Sequence, residues 1–214
     1  MIDFYAFSTP NGRKVAIALE ELGLAYKVLP IDISKGEQMQ PAFLKISPNN
    51  KIPAIVDHEP PDGAGPLSVF ESAAIISYLA QKVDSPILGH DLREQVAVQE
   101  WANFQMASLG PMFGQFGHFW RYAKDDVPYA KARYRDEAVR IMGVMERRLG
   151  EVPYLAGPSF TMADILSYAW TASFLDLGRQ ADVDTDAFTA TKAWLHRCAE
   201  RPGVQRGMEV KLTH

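Results

Sequence analysis

A short run in the first third of the chain carries residue types that suit the binding of an extended ligand. The run from Asn49 to Asp57 contains an Ile52-Pro53 step that leads into a short apolar strand. Ile-Pro is a context in which a cis peptide bond costs little, although most X-Pro bonds are trans. A cis bond here would turn the carbonyl and N–H of Ile52 outward. They would then pair with the backbone of a ligand as an added strand does.

A second motif, Phe70-Glu71-Ser72, stands where a helix is predicted to begin. Apolar residues follow at helical spacing, namely Ile75, Ile76, Tyr78, Leu79 and Val83. The start of a helix offers unpaired N–H groups and a positive dipole end, which suit a carboxylate, and Glu71 suits an ammonium group. Taken singly, each motif is better explained by a turn proline or a serine N-cap. Their order and spacing together favour a site for a peptide-like ligand with a zwitterionic end.

The bulk composition excludes several classes of partner. The net charge of −4 leaves no basic footprint for a nucleic acid. No apolar run approaches the length of a transmembrane helix, so no membrane partner is expected. Residues 1–5 lack the basic and then apolar order of a signal peptide, and a cytoplasmic location is therefore expected.

The chain has one cysteine, Cys198, in a predicted helix near the C-terminus. An intrachain disulfide and a Cys-x-x-Cys redox pair are therefore impossible. If the protein handles thiol chemistry, the reacting sulfur must come from a small-molecule cosubstrate. No His, Cys or carboxylate grouping has the spacing of metal ligands, and no metal is expected.

The hydrophobic periodicity changes near residue 88. Before it, strands and helices alternate in the order βαβ and then ββα, which indicates a compact α/β domain of the thioredoxin type over residues 1–83. Asp84, Ser85 and Pro86 are typical of a linker, taken as residues 84–87. Helical patterns then run to the end, and an all-α domain is predicted over 88–214. One long helix is expected from Leu92 to Phe113, and a last helix is expected to end before Pro202-Gly203.

In this order, the motifs resemble those of a cytosolic glutathione S-transferase over nearly the whole chain. The resemblance is carried by Ser47 to Ile55, Phe70-Glu71-Ser72, Thr161-Met162-Ala163-Asp164 and Arg201-Pro202. It implies a thioredoxin-like N-terminal domain, an all-helical C-terminal domain and a homodimer. It also implies that the peptide-like ligand is glutathione, used as a cosubstrate.

The first loop, residues 8–12, resembles that of the bacterial Nu class, the disulfide-bond oxidoreductase type. This resemblance implies that Thr9 and Asn11 flank the sulfur as catalytic residues, and that two glutathiones or one glutathione disulfide occupy one site. Tyr5 lies too early, within a predicted strand, to act on the thiol. The residues that the resemblance assigns to glutathione binding are Asn11, Gln38, Lys51, Ile52, Pro53, Glu71, Ser72 and Arg133.

Within that set, the resemblance gives three residues specific parts. Ile52 pairs with the cysteinyl backbone, Gln38 contacts the glycyl end, and Arg133 reaches the glutathione of the partner subunit. For the second substrate, an aromatic cluster suggests a pocket formed by Phe116, Phe119 and Trp120, although such clusters more often belong to a core.

The chemistry of Thr9 and Asn11 is limited by their neutrality. They donate hydrogen bonds to a thiolate, which favours the charged form, but they do not remove its proton at pH 7. This suits thiol–disulfide exchange, in which the alignment of three sulfurs matters most. Both residues also cap helices well, and the two roles are compatible.

Three functions remain open from the sequence. The first is a glutathione-dependent disulfide-bond oxidoreductase. The second is a transferase that conjugates glutathione to electrophiles, with Ser8 or Thr9 stabilising the thiolate. The third is a non-catalytic protein of the glutathione transferase fold that serves as an interaction or regulatory module. Turnover of a small disulfide favours the first, turnover of an aryl halide favours the second, and failure to bind glutathione at millimolar concentration favours the third.

Overall fold

The structure is a computed structural model that describes residues 1–213, and the chain divides into two compact units. Unit 1 comprises residues 1–88 and 200–213, and unit 2 comprises residues 89–199. The first is a mixed α/β unit and the second is helical. This agrees with the predicted fold class.

Unit 1 is built on a four-stranded sheet with the strand order β2-β1-β3-β4. β1 pairs with β2 in parallel, whereas β3 is antiparallel to both β1 and β4. The strands are β1 (Ile2–Ala6), β2 (Tyr26–Pro30), β3 (Ala54–Asp57) and β4 (Leu67–Phe70). The helices between residues 1 and 88 are α1 (Pro10–Glu21), α2 (Pro41–Leu44) and α3 (Ser72–Lys82). The sequence pattern predicts strands over Ala54–Asp57 and Leu67–Phe70 and a helix over Ser72–Lys82, and these are the bounds of β3, β4 and α3.

The C-terminal segment, residues 200–213, contains a helix that the sequence pattern does not predict. The last predicted helix ends before Pro202-Gly203, but the segment forms α9 (Pro202–Glu209), which packs on α1 in unit 1. Pro202 is the first residue of α9, a position where the missing N–H of proline leaves no helical hydrogen bond unmade. Pro202-Gly203 therefore begins a helix here. Arg201 makes a bidentate ion pair with Glu21, at 3.0 and 2.7 Å.

Gly207 of α9 lies against the backbone of α1. A Cβ added at Gly207 would be 2.5 Å from the Cα of Ile17 and 2.6 Å from its backbone N. We expect Gly207→Ala to lower the free energy of unfolding by about 1–3 kcal/mol, because a helix backbone does not yield as a flexible side chain does.

Denaturant unfolding measures this effect, and Gly150→Ala is the matched control. Gly150 lies in a helix with no atom within 4 Å of an added Cβ, so alanine there should stabilise by up to about 1 kcal/mol. Equal effects of the two substitutions would contradict the close approach of α9 to α1.

Unit 2 contains five α-helices in the order expected for an all-α domain. They are α4 (Leu92–Phe104), α5 (Gly110–Gly117), α6 (Pro128–Glu151), α7 (Met162–Gln180) and α8 (Thr189–Ala199). The single helix predicted from Leu92 to Phe113 is interrupted by a π-helical turn, Gln105–Leu109. Pro111 follows it and has no N–H to continue the α-helical ladder, which accounts for the change of winding. No helix in residues 1–213 has the length and apolar character needed to cross a membrane.

Asp164 fixes the start of α7 from inside unit 2. Its Oδ1 accepts hydrogen bonds from the Leu155 N–H at 3.0 Å and the Trp194 indole N–H at 2.8 Å. Its Oδ2 accepts from the backbone N–H of Thr161 at 2.9 Å and from the Thr161 hydroxyl at 3.1 Å. Thr161 and Asp164 thus form a capping box, which the Thr-Met-Ala-Asp sequence predicts, and the same carboxylate joins three separate parts of unit 2.

Candidate functional site

The first loop is shaped by the start of α1. The Thr9 hydroxyl accepts a hydrogen bond from the Gly12 N–H at 3.1 Å, and Pro10 is the first helical residue. A Cβ at Gly12 would lie 2.3 Å from the carbonyl oxygen of Phe7, so only glycine fits there. The capping role of Thr9 is confirmed. Because a hydroxyl that accepts one bond keeps its own proton, Thr9 is still able to donate to a sulfur.

Arg13 joins this loop to the C-terminal segment. Its Nη1 donates to the carbonyls of Gly207 at 3.2 Å and Val210 at 2.6 Å, and its Nη2 donates to the Ser8 hydroxyl at 3.3 Å. Sequence reasoning missed this contact, since the carbonyls that accept from Arg13 come from about 195 residues away in the chain. The half-buried Asn11 lies within this braced loop, at the second position of α1.

The Ile52-Pro53 peptide bond is cis, as the sequence context suggested. Pro53 is buried and Ile52 is half-buried, while Lys51 is exposed. The Ser47 hydroxyl donates a hydrogen bond to the carbonyl of Lys51 at 2.9 Å and so holds the turn that precedes Pro53. The residue after Pro53 enters β3, so this backbone lies at the end of the central sheet.

Glu71 holds an uncommon backbone conformation just before α3. Its φ is +70° and its ψ is 119°, in a region that L residues other than glycine seldom adopt, and such residues are frequent at binding sites. The side chain is exposed and accepts from the Asn49 amide at 3.4 Å. Ser72 follows as the first helical residue and is buried. An exposed carboxylate therefore lies beside the N-terminus of α3.

Lys14, which the sequence reading did not single out, lies under this helix start. Only 1 % of the residue is exposed, and its Nζ donates to the Ser72 hydroxyl at 3.4 Å. Burial lowers the pKa of Lys14 to about 7, against the opposing effect of Glu71, which favours the ammonium form. The available signal was a lysine directly before the apolar run Val15 to Leu19 on the buried part of α1.

Asp57, at the end of β3, holds α3 in place. Its buried carboxylate accepts from the Tyr78 hydroxyl at 2.6 Å, from the Lys82 ammonium and from the Glu59 N–H at 3.0 Å. Burial alone would raise the pKa of Asp57, but the hydrogen bonds from Lys82 and Tyr78 outweigh it and lower the pKa below its usual value. The helix that begins at Ser72 is thus tied to the sheet at its other end.

Gln38 is the remaining unit 1 residue of the predicted set, in a 3₁₀ turn, Glu37–Met39. Its Oε1 is buried and has no hydrogen-bond partner within residues 1–213. An acceptor left in that state costs free energy unless a donor arrives, so the atom suits a ligand N–H.

The predicted residues of unit 2 divide into two groups. Arg133 is exposed on α6. It lines a groove of about 430 Å³ with Tyr129, Ala132, Asp136, Glu137 and Arg140. Charged side chains of both signs therefore line the groove.

The aromatic pocket requires a correction at Phe116. This residue is 1 % exposed, with its ring centroid 5.7 Å from that of Phe174 and 5.9 Å from that of Trp120, so it belongs to the core of unit 2. Phe119 and Trp120 are half-buried. The Phe119 ring stacks on that of Tyr134, and the Lys131 ammonium lies 5.4 Å from the Trp120 ring centroid. Their role in a pocket for the second substrate stays a prediction.

Two family models match the chain. One, described as the glutathione S-transferase N-terminal domain, matches residues 4–86, and the other, the glutathione S-transferase C-terminal domain, matches residues 106–202. The chain belongs to the glutathione S-transferase family. Among the described residues, no group of three or more His, Cys, Asp or Glu side chains is arranged to hold a metal ion.

Individual members of the family align with almost the whole length of this chain. The disulfide-bond oxidoreductase YfcG of Escherichia coli strain K12 is 44% identical over 208 residues, which is 97% of this chain and 94% of the relative. A glutathione transferase from Pseudomonas putida, solved with one glutathione disulfide per subunit, is 37% identical with a TM-score of 0.92, covering 98% of this chain and 91% of that one. One from Pseudomonas fluorescens, solved with two glutathiones, is 38% identical with a TM-score of 0.90, covering 98% and 93%.

Proposed function

We propose that this protein is a glutathione-dependent disulfide-bond oxidoreductase that binds two glutathiones, or one glutathione disulfide, in a single site. The observation that carries the proposal is the 44% identity, over 97% of the chain, to a disulfide-bond oxidoreductase. A supporting one is the first loop, in which Thr9 and Asn11 are neutral donors at a helix start. That loop offers no base strong enough for acid–base catalysis.

The γ-glutamyl end of glutathione fits the start of α3. The exposed Glu71 carboxylate takes the ammonium group, and the N–H groups that begin at Ser72 take the carboxylate. The backbone of Ile52, with Pro53 and Lys51 beside it, pairs with the cysteinyl residue. The buried Oε1 of Gln38 accepts an N–H near the glycyl end.

The reaction is a sequence of two thiol–disulfide exchanges. The thiolate of one glutathione attacks a sulfur of the disulfide substrate, whose S–S bond breaks, and the departing thiolate takes a proton. The thiolate of a second glutathione attacks the mixed disulfide, releases the second thiol and forms glutathione disulfide. Two glutathiones are thereby oxidised and one substrate disulfide is reduced. Thr9 and Asn11 donate hydrogen bonds that lower the pKa of the attacking thiol.

We also propose a homodimer in the cytoplasm. Large apolar side chains stay exposed on α4 and α6, among them Leu92, Val96 and Tyr129 at 75%, 50% and 78% exposure, which favours a covered surface. Arg133 on α6 would then reach the glutathione of the partner subunit. A reductant drawn from the glutathione pool requires a reducing compartment.

The test is reduction of bis(2-hydroxyethyl) disulfide by glutathione, coupled to glutathione reductase and followed by loss of NADPH. We expect an enzyme-dependent rate well above the uncatalysed exchange, and a small rate with an aryl halide. Cys198→Ala is the matched control, because the buried Cys198 supplies no reacting sulfur in this mechanism and its removal should leave turnover intact. A dominant aryl halide rate would replace the proposal with conjugation. The absence of a rate with either substrate would indicate a protein that binds glutathione without catalysis.

A further inference from the structure

A buried lysine beneath a helix N-terminus requires a physical reason. Placing an ammonium group in a low-dielectric interior is costly unless charges or hydrogen bonds compensate it. Lys14 is almost fully buried, its Nζ lies 3.4 Å from the hydroxyl of Ser72, and the charge of Glu71 favours its ammonium form. The ammonium group therefore lies beside the residue that begins α3, where the ligand carboxylate is expected.

The charges around this helix start match a zwitterion. Glu71 presents an exposed carboxylate at the surface, while Lys14 supplies a positive charge from below, at Ser72. An α-amino acid end carries one ammonium and one carboxylate separated by a single carbon. An ammonium group donates only, so the Ser72 hydroxyl that accepts from Lys14 directs its own proton elsewhere.

We propose that Lys14 is a positioning residue for the γ-glutamyl end of glutathione. Its ammonium orients the Ser72 hydroxyl and adds positive charge below the ligand carboxylate. Lys14 does not touch the ligand. The inference rests on the proposed function in one respect, since it takes the Glu71 and Ser72 end of the site to receive the γ-glutamyl group.

Binding of the carboxylate should therefore be coupled to the protonation of Lys14. The negative charge of the ligand favours the ammonium form, so the pKa of Lys14, about 7 without ligand, rises on binding. Binding takes up a proton, and affinity falls as the pH rises through this range.

Several other charged groups near α1 make ion pairs or hydrogen bonds of their own. From α9 and its start, Arg206 and Arg201 pair with Glu20 and Glu21 at the far end of α1. The neighbouring Arg13 donates to carbonyls of the C-terminal segment. At the start of α3, Glu71 and the Ser72 hydroxyl face Lys14.

The experiment is calorimetric titration with S-methylglutathione between pH 6.5 and 8.5, in buffers of different ionisation heat. This probe keeps the γ-glutamyl end and has no thiol to titrate. If binding raises the pKa of Lys14 by about one unit, the wild type takes up roughly half a proton near pH 7.5. Its affinity should then fall roughly sixfold between pH 6.5 and pH 8.5. Lys14→Met should bind about tenfold more weakly at pH 6.5, from the loss of one charge-assisted interaction, with no proton uptake.

Lys27→Met is the matched control, because Lys27 is exposed on β2 of the same unit. It should keep both the affinity and the proton uptake of the wild type. A merely structural Lys14 would change stability without changing the linkage between ligand and proton. Wild-type binding without proton uptake would overturn the inference and leave the proposed function standing. Failure of the wild type to bind S-methylglutathione, glutathione or its disulfide would overturn both.

A second measurement identifies the titrating group without any ligand. Lys14 has a depressed pKa in the folded protein, so the unfolded chain binds more protons between about pH 7 and 10, and this group makes the folded state more stable as the pH rises. The stability of the wild type relative to Lys14→Met should therefore improve from pH 7 to 9.5. A constant difference would show that Lys14 does not titrate in this range and would overturn the inference.

Discussion

We expect Asn11→Ala to lower glutathione-dependent disulfide turnover by about ten- to a hundredfold. The amide of Asn11 is assigned to the thiolate, and a hydrogen bond to a charged group contributes about 1.5–3 kcal/mol. Each 1.4 kcal/mol lost from the transition state is a tenfold loss in rate. The coupled NADPH assay at saturating and at limiting glutathione measures whether the loss falls in kcat, in KM or in both.

Two further variants complete this test. Asn103→Ala is the matched control, because Asn103 is exposed on α4 and donates to the Gln99 carbonyl of its own helix. It should keep full turnover. Ser8→Ala separates the competing assignments, since Ser8 belongs to the same loop but accepts a hydrogen bond from Arg13. Normal turnover in Asn11→Ala, or an equal loss in Ser8→Ala, would remove Asn11 from the role proposed for it.

Asp164→Ala lowers the free energy of unfolding by about 3–5 kcal/mol, the largest effect on stability that we expect. The substitution leaves the N–H groups of Leu155 and Thr161 and the indole N–H of Trp194 without their acceptor inside unit 2. A buried donor without a partner costs about 1–3 kcal/mol, and three such donors share the loss because the structure relaxes in part. Urea unfolding followed by circular dichroism measures the difference.

The matched control is Asp176→Ala on the same helix. Asp176 is exposed and makes a surface ion pair with Arg121 at 3.2 Å, so its loss should cost less than about 1 kcal/mol. Asp164→Asn should recover only part of the stability, since an amide has one acceptor oxygen where the carboxylate uses two. A loss below 1 kcal/mol in Asp164→Ala would contradict the central role of this carboxylate.

Local chemistry determined much of this protein from its sequence. Strand and helix periods place β3, β4 and α3, because alternating and helical burial leave different repeats of apolar residues. The Thr9 cap and the Thr161-Asp164 capping box are local too, as each joins groups three residues apart. The family can be recognised from the sequence for the same reason, because its motifs are short runs whose backbone conformation depends on adjacent residues.

Only the tertiary structure decided the contacts that join distant segments. Whether Pro202-Gly203 ends a helix or begins one depended on α1, which receives Gly207 and pairs Glu21 with Arg201. Phe116 is a core residue because Phe174 packs on it from another helix. Lys14 lies beneath Ser72 because the fold brings α1 and α3 together across 58 residues of chain. A side chain's neighbours in space set its dielectric environment and its partners, and the chain order does not contain them.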